Sequence, residues 1–155
     1  MTPERIFALA NLAVLPGWLI LLLLPRWRFG ARFISGAMLP ALIGATYAFL
    51  ILPGLYGAEG GFGSIDQVRT LFSDDALLTA GWLHYLAFDL FVGAWMVRDA
   101  QRLGVRHLLV VPCLPLTFML GPIGLLAYLG LRWGLKQEPF LGTDPLPATP
   151  VQVAS

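Results

Sequence analysis

Charge is the scarcest property of this sequence. Lys, Arg, Asp and Glu make up 12% of its 155 residues, against 57% hydrophobic ones, whereas a soluble domain needs about a quarter of its residues charged to cover its surface. An ordinary soluble fold is excluded, and an integral membrane protein is expected. The net charge is +1 with no basic cluster, so nothing neutralises a phosphate backbone and nucleic acid is not an expected partner. Cys113 is the only cysteine, which rules out an intrachain disulfide or a cysteine-based metal site within one chain. The two histidines, His84 and His107, do not stand at ligand spacing. No phosphate loop, dinucleotide fingerprint or nucleophile elbow occurs either, so neither a metal nor a cofactor is expected.

What the sequence has in abundance is long apolar runs. At 1.5 Å per residue, about 20 apolar residues cross a hydrocarbon core of about 30 Å. Residues 6–24, 33–52, 76–97 and 108–131 meet that length. The expected fold is all-α, a bundle of four transmembrane helices over residues 1–138, followed by a disordered polar tail over 139–155. Gly36, Pro40, Gly44 and Ala48 form a small-residue stripe on the second span, suited to close helix packing. Between spans two and three, Ser64-Ile65-Asp66-Gln67 fits a capping box, and Ile65, Val68, Leu71 and Phe72 follow at helical spacing. A short amphipathic helix is expected there. Pro112, Pro115, Gly121-Pro122 and Gly124 interrupt the fourth span more than once. The connections with Arg26, Arg28 and Arg32 and with Arg98, Arg102 and Arg106 outnumber in basic residues the other side, with Arg5, Arg69, Arg132 and Lys136. The positive-inside rule then sets both termini outside the cytoplasm.

The third span carries the candidate chemistry. A carboxylate near a bilayer midplane costs roughly 2.5 to 3.5 kcal/mol on insertion scales, so Asp89 is a functional-site candidate by default. Tyr85 stands one turn before it and can interact directly. His84 and Asp89 point about 140° apart and are separated by about 7.5 Å along the axis, so they are not a preformed dyad. Both need partners from other helices, and Asn11, Thr46, Tyr47 and Thr117 are the candidates. Asp89 reads either as a hydrogen-bonded lock of the bundle or as a buried carboxyl that exchanges a proton.

The run Gly81 to Asp99, followed by Arg102-Leu103-Gly104-Val105-Arg106-His107, Pro112-Cys113-Leu114-Pro115-Leu116-Thr117-Phe118 and Gly121-Pro122-Ile123-Gly124-Leu125-Leu126, resembles the abscisic-acid-deficient-four-like family. The resemblance covers about residues 5–133. It implies a four-span membrane protein linked to carotenoid chemistry, since plant plastid members are needed to make neoxanthin. That step opens an epoxide of violaxanthin to a tertiary alcohol and an allene without redox change. It needs an acid for the epoxide oxygen and a base for the adjacent chain carbon. Asp89 and His84 are the expected acid/base pair, with Tyr85 tuning the carboxyl. Trp82, Phe88, Phe91 and Trp95, with Asn11 and Thr117, are the expected ligand-binding residues for a carotenoid or related polyisoprenoid. A non-enzymatic scaffold or accessory of a membrane enzyme, and a subunit of a proton-coupled transporter, are the competing readings. The expected partners are membrane lipid, a carotenoid substrate, and a second copy or a membrane enzyme. With the first span starting a few residues from Met1 and no plastid transit peptide evident, the expected location is a bacterial inner membrane.

Overall fold

The computed structural model describes residues 1–136, and every regular element among them is helical. The expected polar tail, 139–155, lies outside the described residues. α1 (Pro3–Leu23) opens with proline at its first position, where no amide donor is required, and it continues through Pro16. The chain turns at 24–27 and enters a π-helical stretch, Gly30–Met38, in which the Leu39 amide donates five residues back to Ile34. That stretch runs on into α2 (Leu39–Leu55), and Gly30–Gly54 form one apolar rod of 25 residues. Pro53 sits inside the last turn of α2, so the helix runs past the expected end of the second span at residue 52. Ser35, fully buried, donates to the Gly17 carbonyl at 3.0 Å and ties this rod to α1.

The short helix α3 (Ile65–Leu71) starts at Ser64, whose hydroxyl accepts from the Gln67 amide at 3.2 Å. The return half of the expected capping box reaches one residue further, because Gln67 Oε1 accepts from the Gly63 amide. Leu71 is buried but Ile65 is exposed, so α3 docks through its C-terminal end and lacks the full apolar face expected of it. Asp74 caps α4 (Asp75–Arg102) by accepting from the amides of Ala76 and Leu77, and its charge lies at the positive end of the helix dipole.

α4 is the axis of the molecule. It packs against α1, the π-helical stretch and α2, and against the three short helices that follow it. Leu83, Leu86, Leu90, Ala94, Met96 and Val97 meet Val14, Trp18 and Leu21 of α1 and Ile43 of α2 in one core. Leu12, Leu42, Phe49, Leu52 and Phe88 point outward and are exposed. Among the described residues, α1, the Gly30–Gly54 rod and α4 are the three helices long and apolar enough to cross a membrane.

The expected fourth span, 108–131, is not one helix. It is broken into α5 (His107–Val110), α6 (Cys113–Leu120) and α7 (Pro122–Lys136). At Gly121 the backbone takes φ +39°, a conformation that a side chain disfavours, and the chain doubles back. A Cβ on Gly124 would fall inside the backbone and hydroxyl of Thr117, although seven residues of continuous helix would separate the two by about 10 Å. The return of α7 toward the end of α4 is fixed by Tyr128 and Arg132, which reach Asp99. α6 and α7 therefore form a helical hairpin that enters from the Arg98–His107 end and returns to it. The physical reason is local: Pro122 cannot donate to the Phe118 carbonyl, and glycine at 121 permits the reversal. The described chain thus begins at one end of the bundle and α7 finishes at the other, where a full fourth crossing was expected to return it to the first; the C-terminus itself lies outside the described residues.

Candidate functional site

The hairpin tip brings the polar groups of α4 against a broken backbone. The Phe118 carbonyl, whose helical donor would be the missing amide of Pro122, accepts instead from the Tyr85 hydroxyl at 3.0 Å. Asp89, one turn along α4, lies against Gly121, where an added Cβ would stand 2.9 Å from Oδ1 and 3.2 Å from Oδ2. Its Oδ2 is buried with no hydrogen-bond partner among the described residues. Tyr85 and Asp89 stand one turn apart on α4, where side chains four residues apart share a helix face. The single Tyr85 proton is directed at Phe118, so its oxygen is left free to accept. The arrangement is a carboxyl and a phenol on α4 facing a positive-φ glycine at the tip of a hairpin among the helices. An apolar cleft of about 490 Å³, walled by Phe7, Phe72, Leu78 and Trp82, opens onto Tyr85.

The structure does not bring His84 to this site. His84 stacks on Phe88 at 4.5 Å between ring centroids and lies 5.7 Å from Tyr47, on an exposed face of α4. The aromatic set also divides. Trp82 joins Phe7 and Tyr85 beside the cleft, Phe88 and Phe91 are exposed on the outer surface, and Trp95 packs edge-on against Tyr128. Asn11 accepts from the Trp82 indole at 3.1 Å and donates to the Phe7 carbonyl, so it fixes a cleft wall and does not reach Asp89. Thr46 donates to the Leu42 carbonyl of its own helix. Thr117 is fully buried at the hairpin and donates to the Cys113 carbonyl at 2.8 Å, with Met96 Sδ at 3.8 Å.

A second polar cluster has no counterpart in the linear reading. Asp99 is 7% exposed, Tyr128 0% and Arg132 1%. Asp99 Oδ2 accepts from the Tyr128 hydroxyl at 2.7 Å and from Arg132 Nε at 2.9 Å, while Oδ1 accepts from Arg102 at 3.1 Å. A buried carboxylate satisfied on both oxygens is a fastening rather than a reactive group. It anchors the returning arm of the hairpin to α4 and so holds the tip on Asp89. The available sequence signal is the spacing Tyr128-x-x-x-Arg132, which puts both side chains on one helix face. Among the described residues no group of three or more His, Cys, Asp or Glu is gathered as metal ligands.

Comparison with known proteins gives one consistent result. A model of the ABA DEFICIENT 4-like family matches residues 5–128. Protein ABA DEFICIENT 4, chloroplastic, of Arabidopsis thaliana is 20% identical over 135 residues, which cover 81% of this chain and 59% of that protein. The chain therefore spans less than two thirds of this relative's length. No solved structure matches the chain. The plant relative is chloroplastic, which overturns the expected bacterial inner-membrane location and the cytoplasm-based orientation attached to it. Arginine counts distinguish the two faces of a bilayer and carry no information on which organelle owns it. The family model spans every helix from α1 through the middle of α7, and the chain belongs to the ABA DEFICIENT 4-like family.

Proposed function

We propose that this protein binds a carotenoid or a related polyisoprenoid against α4 and isomerises it by acid/base chemistry at Asp89. The observation that carries the reading is the Asp89 carboxyl itself, unpartnered at Oδ2, set at a helix break and one turn from a tyrosine that borders an apolar cleft. Membership in a family related to neoxanthin synthesis supports the substrate class.

With His84 turned away, one carboxyl serves both halves of the reaction. In epoxide opening to an allene, one oxygen of the protonated Asp89 gives its proton to the epoxide oxygen as the C–O bond breaks. The other oxygen takes a proton from the adjacent chain carbon, and that C–H electron pair becomes the new double bond. The carboxylic acid is regenerated with its proton on the opposite oxygen, and no electrons are gained or lost. Tyr85, held on the Phe118 carbonyl one turn before Asp89, tunes the carboxyl.

The test is conversion of violaxanthin to neoxanthin by the purified protein alone in detergent. Wild type is expected to form neoxanthin. Asp89→Asn should lower the rate by about 10²-fold or more, and His84→Gln should leave it near wild type. A folded Asp89→Asn protein with full turnover would contradict the assignment. The close packing of Asp89 on Gly121 favours a second reading, a scaffold for a membrane enzyme in which the carboxyl locks the hairpin. Under that reading the purified protein converts nothing, and Asp89→Asn acts on stability only.

A further inference from the structure

At the arginine-rich end of the bundle two clefts adjoin on α1. The outer one, about 870 Å³, sits between the end of α1 and the turn from α4 to α5, and Arg26, Trp27, Gln101, Arg106 and His107 line it. The inner one, about 230 Å³, is lined only by apolar residues of α1 and α6, from Leu15 and Leu19 to Pro115 and Phe118. Leu22 lines both, so the mouth that carries Arg26 and Arg106 adjoins the apolar groove. The walls are fastened together before any ligand arrives. His107 Nε2 donates to the Leu22 carbonyl at 3.0 Å, and the Gln101 amide donates to the Pro25 carbonyl. Arg26 and Arg106 are exposed and form no ion pair among the described residues.

We propose that this paired cleft is a binding site for an anionic glycerophospholipid. Its phosphate sits between Arg26 and Arg106, and one acyl chain follows the groove toward Trp18 and Phe118. The mouth has two cations without carboxylates, and the groove has no polar side chain to satisfy, which matches the two ends of such a lipid. This site is separate from the cleft at Tyr85 and does not depend on the reading of Asp89.

Native mass spectrometry of the detergent-purified protein, with phosphatidylglycerol or phosphatidylcholine of identical acyl chains added, tests the site. Phosphatidylglycerol should be retained in preference. Arg26→Gln and Arg106→Gln should each weaken its retention by about fivefold, in line with one basic residue near a lipid surface. Arg28→Gln, at the same end but outside the cleft, should change nothing. Leu19→Trp, which fills the groove, should weaken retention of the lipid while leaving the arginines intact. Equal retention of the two lipids would overturn the proposal, as would an Arg28→Gln loss equal to that of Arg26→Gln. Displacement of the lipid by glycerol 3-phosphate, with Leu19→Trp without effect, would reduce the site to a free-phosphate contact and overturn it as well.

Discussion

Asp99 is the most completely held charge in the described chain, and its removal is expected to be costly. Asp99→Ala takes the acceptor from the buried Tyr128 hydroxyl and a carboxylate from Arg132. Breaking a buried pair of this kind costs about 3 to 5 kcal/mol, read as a lowered unfolding temperature in detergent. Tyr85→Phe is a milder test of the other polar contact. It orphans the Phe118 carbonyl and should cost about 1 to 3 kcal/mol. It should also slow any Asp89-dependent conversion, because the phenol one turn from the carboxyl is gone. Two of these residues were within reach of the linear sequence. Asp89 and Tyr85 are legible because a carboxylate inside an apolar run is expensive and residues four apart share a helix face. The divergence of His84 from Asp89 also follows from helix geometry and is what the structure displays. Asp99 is not legible, because a charge in the last turn of a helix reads as solvated until another helix is known to cover it.

At the scale of elements, the long helices and the Ser64 cap are legible in apolar runs and capping residues, and the hairpin is not. A Gly-Pro pair inside an apolar stretch fits a kinked span as well as a reversal, since both need a residue without a side chain and tolerate a missing amide. The contact between Thr117 and Gly124 decides between them, and it exists only in three dimensions. Gly124→Val is therefore a direct probe. A side chain there has no room against Thr117, so the variant should open the hairpin and lower the unfolding temperature. Gly134→Val, where no atom lies within 4 Å of an added Cβ, should be nearly neutral in the same measurement. Equal tolerance of the two substitutions would mean that α6 and α7 do not pack as observed.

The whole molecule is polarised along α4. Arg26, Arg28, Arg32, Arg98, Arg102, Arg106 and Arg132 gather at one end, while Glu4, Glu59, Asp66, Asp74 and Asp75 gather at the other. The return of α7 moves Arg132 to the basic end and sharpens the asymmetry that a bilayer reads as orientation. Three long helices and a hairpin entering from the basic end leave the tip, with Gly121, beside Asp89 near the middle of α4. The reactive carboxyl proposed for this family member depends on that tip. The most direct test of the account is the sidedness of α7, measured by labelling single cysteines in sealed vesicles with a membrane-impermeant maleimide. In a Cys113→Ser background, Gly134→Cys should be labelled from the same face as Gly104→Cys and from the face opposite Gly63→Cys. Labelling of Gly134→Cys together with Gly63→Cys would mean a fourth crossing, and would remove the hairpin tip from Asp89.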